Sequence, residues 1–134
     1  MSIGDYVNWD KATEELLKAS ENNRRVLESV RLMLITLEHR LSHEMSEDKK
    51  TDLMLEKHEM TARIQLLEAE IKIFDNAWQS LCTEDRIILE ELYTKCPRDK
   101  MAAVYNACDR LGCEQASIYR RKNEALKRFK KLIV

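Results

Sequence analysis

Six side chains suited to reading base edges stand within nine residues near the C-terminus: Gln115, Ala116, Ser117, Tyr119, Arg120 and Asn123. Gln and Asn match the donor–acceptor pair that adenine shows in the major groove, Arg matches guanine, and Ala packs on the thymine methyl. Among and after them come Arg121, Lys122, Lys127, Arg128, Lys130 and Lys131, cations that hold phosphates and so position a duplex without specifying its sequence. Lys and Arg near a helix C-terminus also complement the helix dipole, so their number alone does not discriminate. Their segregation says more. Residues 95–134 hold 11 of the 23 Lys and Arg but 4 of the 24 Asp and Glu, about +7. Residues 1–94 hold the other 12 against 20, about −8. A formal net charge of −1 therefore hides a localised basic segment, the electrostatic footprint of phosphate binding.

These side chains need a scaffold that aims them. Over Asp99–Leu111, Met101, Val104, Ala107, Cys108 and Leu111 recur at helical spacing, and Gly112 follows as a stop. A second pattern over Glu114–Leu132 would bury Ile118, Ala125, Phe129 and either Leu132 or Ile133. A small residue four positions before the Gly, here Cys108, allows two helices to cross closely. This is the layout of a helix-turn-helix, whose second helix enters the major groove. Upstream, Thr83-Glu84-Asp85 places a capping hydroxyl before two acids, which the helix dipole favours. Ile87, Ile88, Leu92 and Tyr93 form that helix's apolar face, and Pro97 ends it. A three-helix domain over residues 81–134 is expected.

Residues 1–80 have a different period. Leu27, Val30, Leu34, Leu37 and Leu41 alternate spacings of three and four, with Leu16, Ser20 and Asn23 upstream. Met60, Ile64, Leu67, Ile71, Phe74, Trp78 and Leu81 form a second seam, one heptad after Leu53. Leu34 and Ile64 are 30 residues apart, four heptads plus two, so the seams are not continuous. The break falls in Ser42–Thr51, read as a turn between two antiparallel helices with Ser46 or Thr51 as N-cap; a bent continuous helix is the alternative. Trp78, Phe74, Leu53, Met33 and Val26 exceed what one two-helix hairpin covers, which predicts a homodimer through residues 10–81. The plainer role is a stiff scaffold; the sharper one is a docking surface for another protein, such as a polymerase subunit. Asn23, polar within a seam, is a candidate register-setter.

With 2 Gly and 1 Pro the chain has little material for β-turns, which favours an all-α fold. No apolar run approaches the roughly 20 residues of a membrane span. The start, MSIGDYVNWD, lacks a signal-peptide pattern. Cys82, Cys96, Cys108 and Cys113 are scattered on helical patterns, as expected of small apolar fillers in a reducing compartment, so a cytoplasmic protein is expected. No CxxC pair is present, and His39 and His43, one turn apart, lack a third ligand in sequence; neither a metal nor a cofactor is expected. Glu68, Glu70, Glu90 and Glu91 read as ordinary exposed acids. With no phosphate loop or nucleophile elbow, an enzyme is not expected.

The segment Leu81–Leu132 resembles region four of sigma factors in its L-x-x-E-D-R opening (Leu81, Glu84, Asp85, Arg86), its Leu111-Gly112 turn and its I-Y-R-R-K then A-L pattern. It is more similar to ArpU/RinA-type phage regulators through Val104-Tyr105, Leu111-Gly112, Tyr119-Arg120, Lys122 and Ala125-Leu126. Two positions depart from that family: Glu114, where members usually carry Ser, and Arg121, where they tend to be apolar. The resemblance implies a DNA-binding activator of phage or prophage late genes, acting in the bacterial host cytoplasm. The expected partners are double-stranded DNA, a second copy of the chain and RNA polymerase. The rival expectation is a coiled-coil interaction protein whose basic tail meets RNA polymerase or another acidic partner without reading DNA.

Overall fold

The computed structural model describes residues 8–134. Residues 1–7, with most of the MSIGDYVNWD start and the first part of the domain expected over 1–80, lie outside the described residues. The rest is all helical, and no strand occurs among the described residues. Five α-helices follow in order: α1 Trp9–His43, α2 Glu47–Ser80, α3 Thr83–Leu89, α4 Lys100–Leu111 and α5 Gln115–Ile133. A single π-helical turn, Glu90–Thr94, extends α3.

Two compact units form, one from residues 22–72 and the other from residues up to 21 together with 73–134. The division therefore does not follow the boundary expected near residue 80. The ends of α1 and α2 carry apolar side chains that the three short helices need. Leu17, Phe74, Ala77 and Leu81 share a core with Leu89, Tyr93, Ala125 and Phe129. Phe74 stacks on Trp78 with ring centroids 5.3 Å apart and meets Phe129 edge-on at 5.8 Å. Of Phe74 and Trp78, both expected in a dimer seam, Phe74 is thus buried by its own chain and Trp78 half-buried.

In the 22–72 unit, Leu27, Val30 and Ile64 are buried, with Val26, Leu34, Met60, Leu67 and Ile71 packed around them. Leu37 and Leu53 are buried as well, whereas Leu41 is half-buried. Contacts run in opposite order along the two helices. Asn23 Nδ2 donates to Glu70 Oε2 at 3.2 Å, and Arg31 Nη2 to Glu68 Oε1 at 2.7 Å. Asn23, Glu68 and Glu70 are thereby tied into this pairing. Three residues separate the helices. Glu44 Oε1 accepts from the backbone of Met45 and Ser46, and Ser46 Oγ accepts from Lys49 N at 3.5 Å. Of the two expected caps, Ser46 takes the role, while Thr51 bonds back to Glu47 O inside α2.

Candidate nucleic-acid interface

Ile118, Ala125 and Phe129, all expected inside, are fully buried and orient α5. Their spacing of seven and four puts one stripe of the helix into the core and turns the opposite stripe out. Ala116, Tyr119, Arg120, Asn123, Lys127, Arg128 and Lys131 are exposed; Gln115, Ser117, Arg121, Lys122 and Lys130 are half-buried. At the helix end Ile133 packs inward while Leu132 stays exposed.

The approach to α5 is set by α4 and its stop. Asp99 Oδ1 accepts from Met101 N at 2.9 Å and Ala102 N at 3.3 Å, so Asp99 caps α4. Gly112 sits at φ 64° and ψ 38°, left-handed backbone in which a side chain is strained. Its N–H and that of Cys113 both bond to Cys108 O, at 2.7 and 3.2 Å, closing the α4 end. Val104, Ala107 and Ile118 then form a small core with Leu92, Cys108, Leu111 and Cys113 around it. Met101, expected inward, is 44% exposed. Its Sδ lies 3.9 Å from both Gln115 Nε2 and Tyr119 Oη, so it flanks the start of α5 instead.

Ion pairs connect the elements and withdraw some of the expected cations. Asp85 is 3% exposed and accepts from Arg128 Nε at 2.6 Å and Nη2 at 2.8 Å. That two-point bond raises the guanidinium's affinity for its proton and holds it against α3. Arg121 reaches Glu84 at 3.7 Å, and Lys130 reaches Asp10 at 3.0 Å. Arg86 donates to Leu81 O and Gln79 O, closing the α2 end. Each acidic or basic member of the Glu84-Asp85-Arg86 triplet therefore has a structural partner. The α3 N-cap is Cys82, one residue before the expected Thr83, and its side chain makes no capping bond.

Glu91, expected exposed, is 4% exposed. Its Oε1 accepts from Lys95 Nζ at 2.6 Å and Arg110 Nη1 at 3.0 Å. Burial works against its charge, but these two cations outweigh it and hold the carboxyl below its ordinary value. Tyr93 behaves in the opposite way: burial, with the Glu14 carboxylate beside it, pushes the phenol up to about 12. Its hydroxyl donates to Glu14 Oε1 at 3.5 Å.

Lys18, Lys100 and Lys122, from three different helices, line one cavity of about 270 Å³ with Tyr119 and the apolar Leu92, Pro97 and Val104. No local pattern relates positions so far apart in the chain. The paired histidines lie near the end of α1 with ring centroids 4.4 Å apart and planes tilted by 43°, and both are exposed. Among the described residues, no group of three or more His, Cys, Asp and Glu could hold a metal ion, and no helix is long and apolar enough to cross a membrane. Comparison with family models, curated proteins and solved structures returns no significant match to this chain.

Proposed function

We propose that this chain is a sequence-specific DNA-binding regulator of transcription, without catalytic activity of its own. In this reading α4, the Gly112 turn and α5 are a helix-turn-helix, and α5 is its recognition helix. The observation that carries it is the two-sided character of α5: Ile118, Ala125 and Phe129 buried, with Ala116, Tyr119, Arg120, Asn123 and Lys127 exposed along the opposite stripe. Arg120 and Asn123 are the principal base readers, supported by Gln115, Ala116, Ser117 and Tyr119. Lys122, Lys127 and Lys131, joined by Lys100, are the phosphate contacts. Arg121, Arg128 and Lys130 contribute less, because acids already engage them. The likeness of Val104-Tyr105, Leu111-Gly112 and Tyr119-Arg120 to ArpU/RinA-type regulators supports activation of phage late genes as the biological setting.

We further propose that residues 22–72 form an antiparallel hairpin that joins two copies of the chain or docks RNA polymerase. Exposed Leu32, Met33, Ile35, Met45, Met54, Leu55 and Leu66 support this, since isolated apolar residues are ordinary but seven within one unit are more than solubility favours.

Selection from a random duplex pool, followed by gel shifts across a salt series, tests the DNA reading. Arg120→Ala should weaken binding to the selected site by about 1–3 kcal/mol with little loss on random DNA. Lys131→Ala should weaken both alike and flatten the salt dependence. If no sequence is enriched and only salt-dependent binding remains, the chain is a basic interaction module that does not read bases.

A further inference from the structure

Cys108 and Cys113 occupy paired positions at the end of α4. Cys113 N donates to Cys108 O at 3.2 Å across the left-handed Gly112, the outer bond of a helix stop in which the flanking side chains meet. Covalent bond lengths added to that hydrogen bond give about 7.4 Å along a straight path, and the bend at the carbonyl carbon brings the two Cα atoms within about 7 Å. A disulfide spans Cα separations of about 4.4–6.8 Å. Both thiols are half-buried, and both pack on the same cluster of Val104, Ala107 and Ile118. Cys82 and Cys96 are exposed, and Cys96 Sγ donates to Lys18 O at 3.2 Å.

We propose that Cys108 and Cys113 are a dithiol site that closes to an intrachain disulfide by exchange with a low-molecular-weight disulfide. Burial, with Cys113 and Asp109 nearby, pushes the Cys108 thiol up, so its thiolate is scarce and Cys113 makes the first attack. The Cys113 thiolate displaces one thiolate from the small disulfide and forms a mixed disulfide. Cys108 then loses its proton, attacks the Cys113 sulfur and releases the second small thiolate. Two protein thiols are oxidised, one small disulfide is reduced to two thiols, and the two protons pass to the departing thiolates. The new bond ties the α4 end to the residue just before Glu114 and α5. The site makes the α4–α5 turn responsive to thiol redox state whatever α5 binds.

The test uses the full chain carrying Cys82→Ser and Cys96→Ser, which place a favourable N-cap residue at 82 and a hydroxyl donor in place of the thiol at 96. Incubation with oxidised glutathione should abolish both remaining free thiols, remove the mass of two hydrogens and leave no glutathione attached. Peptide mapping should link residues 108 and 113, with the helical circular dichroism signal retained. Adding Cys113→Ser should prevent the hydrogen loss. Stable glutathione adducts on both sulfurs, a link between two chains, thiols that stay free, or closure only with loss of helicity would each overturn the proposal.

Discussion

Asp85 and Arg128 show how differently the two halves of an ion pair respond to removal. Asp85 is almost wholly buried, whereas the Arg128 side chain is about half exposed. Arg128→Ala strands a buried carboxylate and should cost about 2–3 kcal/mol. Asp85→Ala releases a guanidinium that water can solvate, and the loss should be smaller, nearer 1 kcal/mol. Urea denaturation of the two variants decides this; equal losses would mean the pair does not depend on Asp85 burial. Glu91 supplies a pH dependence. Its carboxyl is held below the ordinary glutamate value of about 4.3, so it adds stability that is fully present above that pH. The contribution fades as pH falls from there through the lower folded value. Glu91→Gln should therefore lower stability at pH 7 by about 1–2 kcal/mol, with the difference shrinking in acid. A difference that stays constant from pH 7 to pH 3 would exclude this role. The distant partners could not be seen in the chain: Arg128 lies 43 residues from Asp85 and Arg110 lies 19 from Glu91, and Lys95, one helical turn from Glu91, leaves it looking like any helix acid beside Glu90.

Among the elements, the link between α4 and α5 is the most legible. Gly112 after a periodic apolar run marked the stop, and its backbone is left-handed at φ 64°. A Cβ at Gly112 would meet nothing within 4 Å, so the penalty of Gly112→Ala is conformational alone. It should be about 1–2 kcal/mol. A substantially larger drop in the urea midpoint would show that the Ala displaces α5. Helix ends were harder to read. Thr83 resembles an N-cap, yet Cys82 holds that position, because a hydroxyl before two acids suits either of two adjacent registers. Met101 fits the inward period of α4 but sits in its first turn, beside Gln115 and Tyr119 at the start of α5.

Across the whole chain, the assembly question has moved to different residues. Leu53 and Phe74 are buried within the chain and no longer argue for a partner, and Val26 is half-buried. Leu32 and Leu66, 61% and 67% exposed, do. Sedimentation at micromolar concentration should give about twice the 15.8 kDa chain mass, reverting to one chain in a Leu32→Glu, Leu66→Glu double variant whose helicity is unchanged. Leu34→Asp is a poor probe, since Leu34 packs beside Leu27 and Val30 and its loss would unfold the pairing itself. A monomer at that concentration would leave RNA polymerase as the proposed partner of this unit.

Composition and period alone determined the helical class, the two long helices, the break after Ser42 and the buried stripe of α5. Each of these depends on contacts between residues three, four or seven apart, or on one Gly. Only the tertiary structure decided that Leu17, Phe74 and Trp78 belong with Phe129, and that Arg128 and Lys130 face Asp85 and Asp10. A heptad seam looks the same whichever helix covers it, and a basic side chain looks free until an acid from elsewhere in the chain is placed beside it.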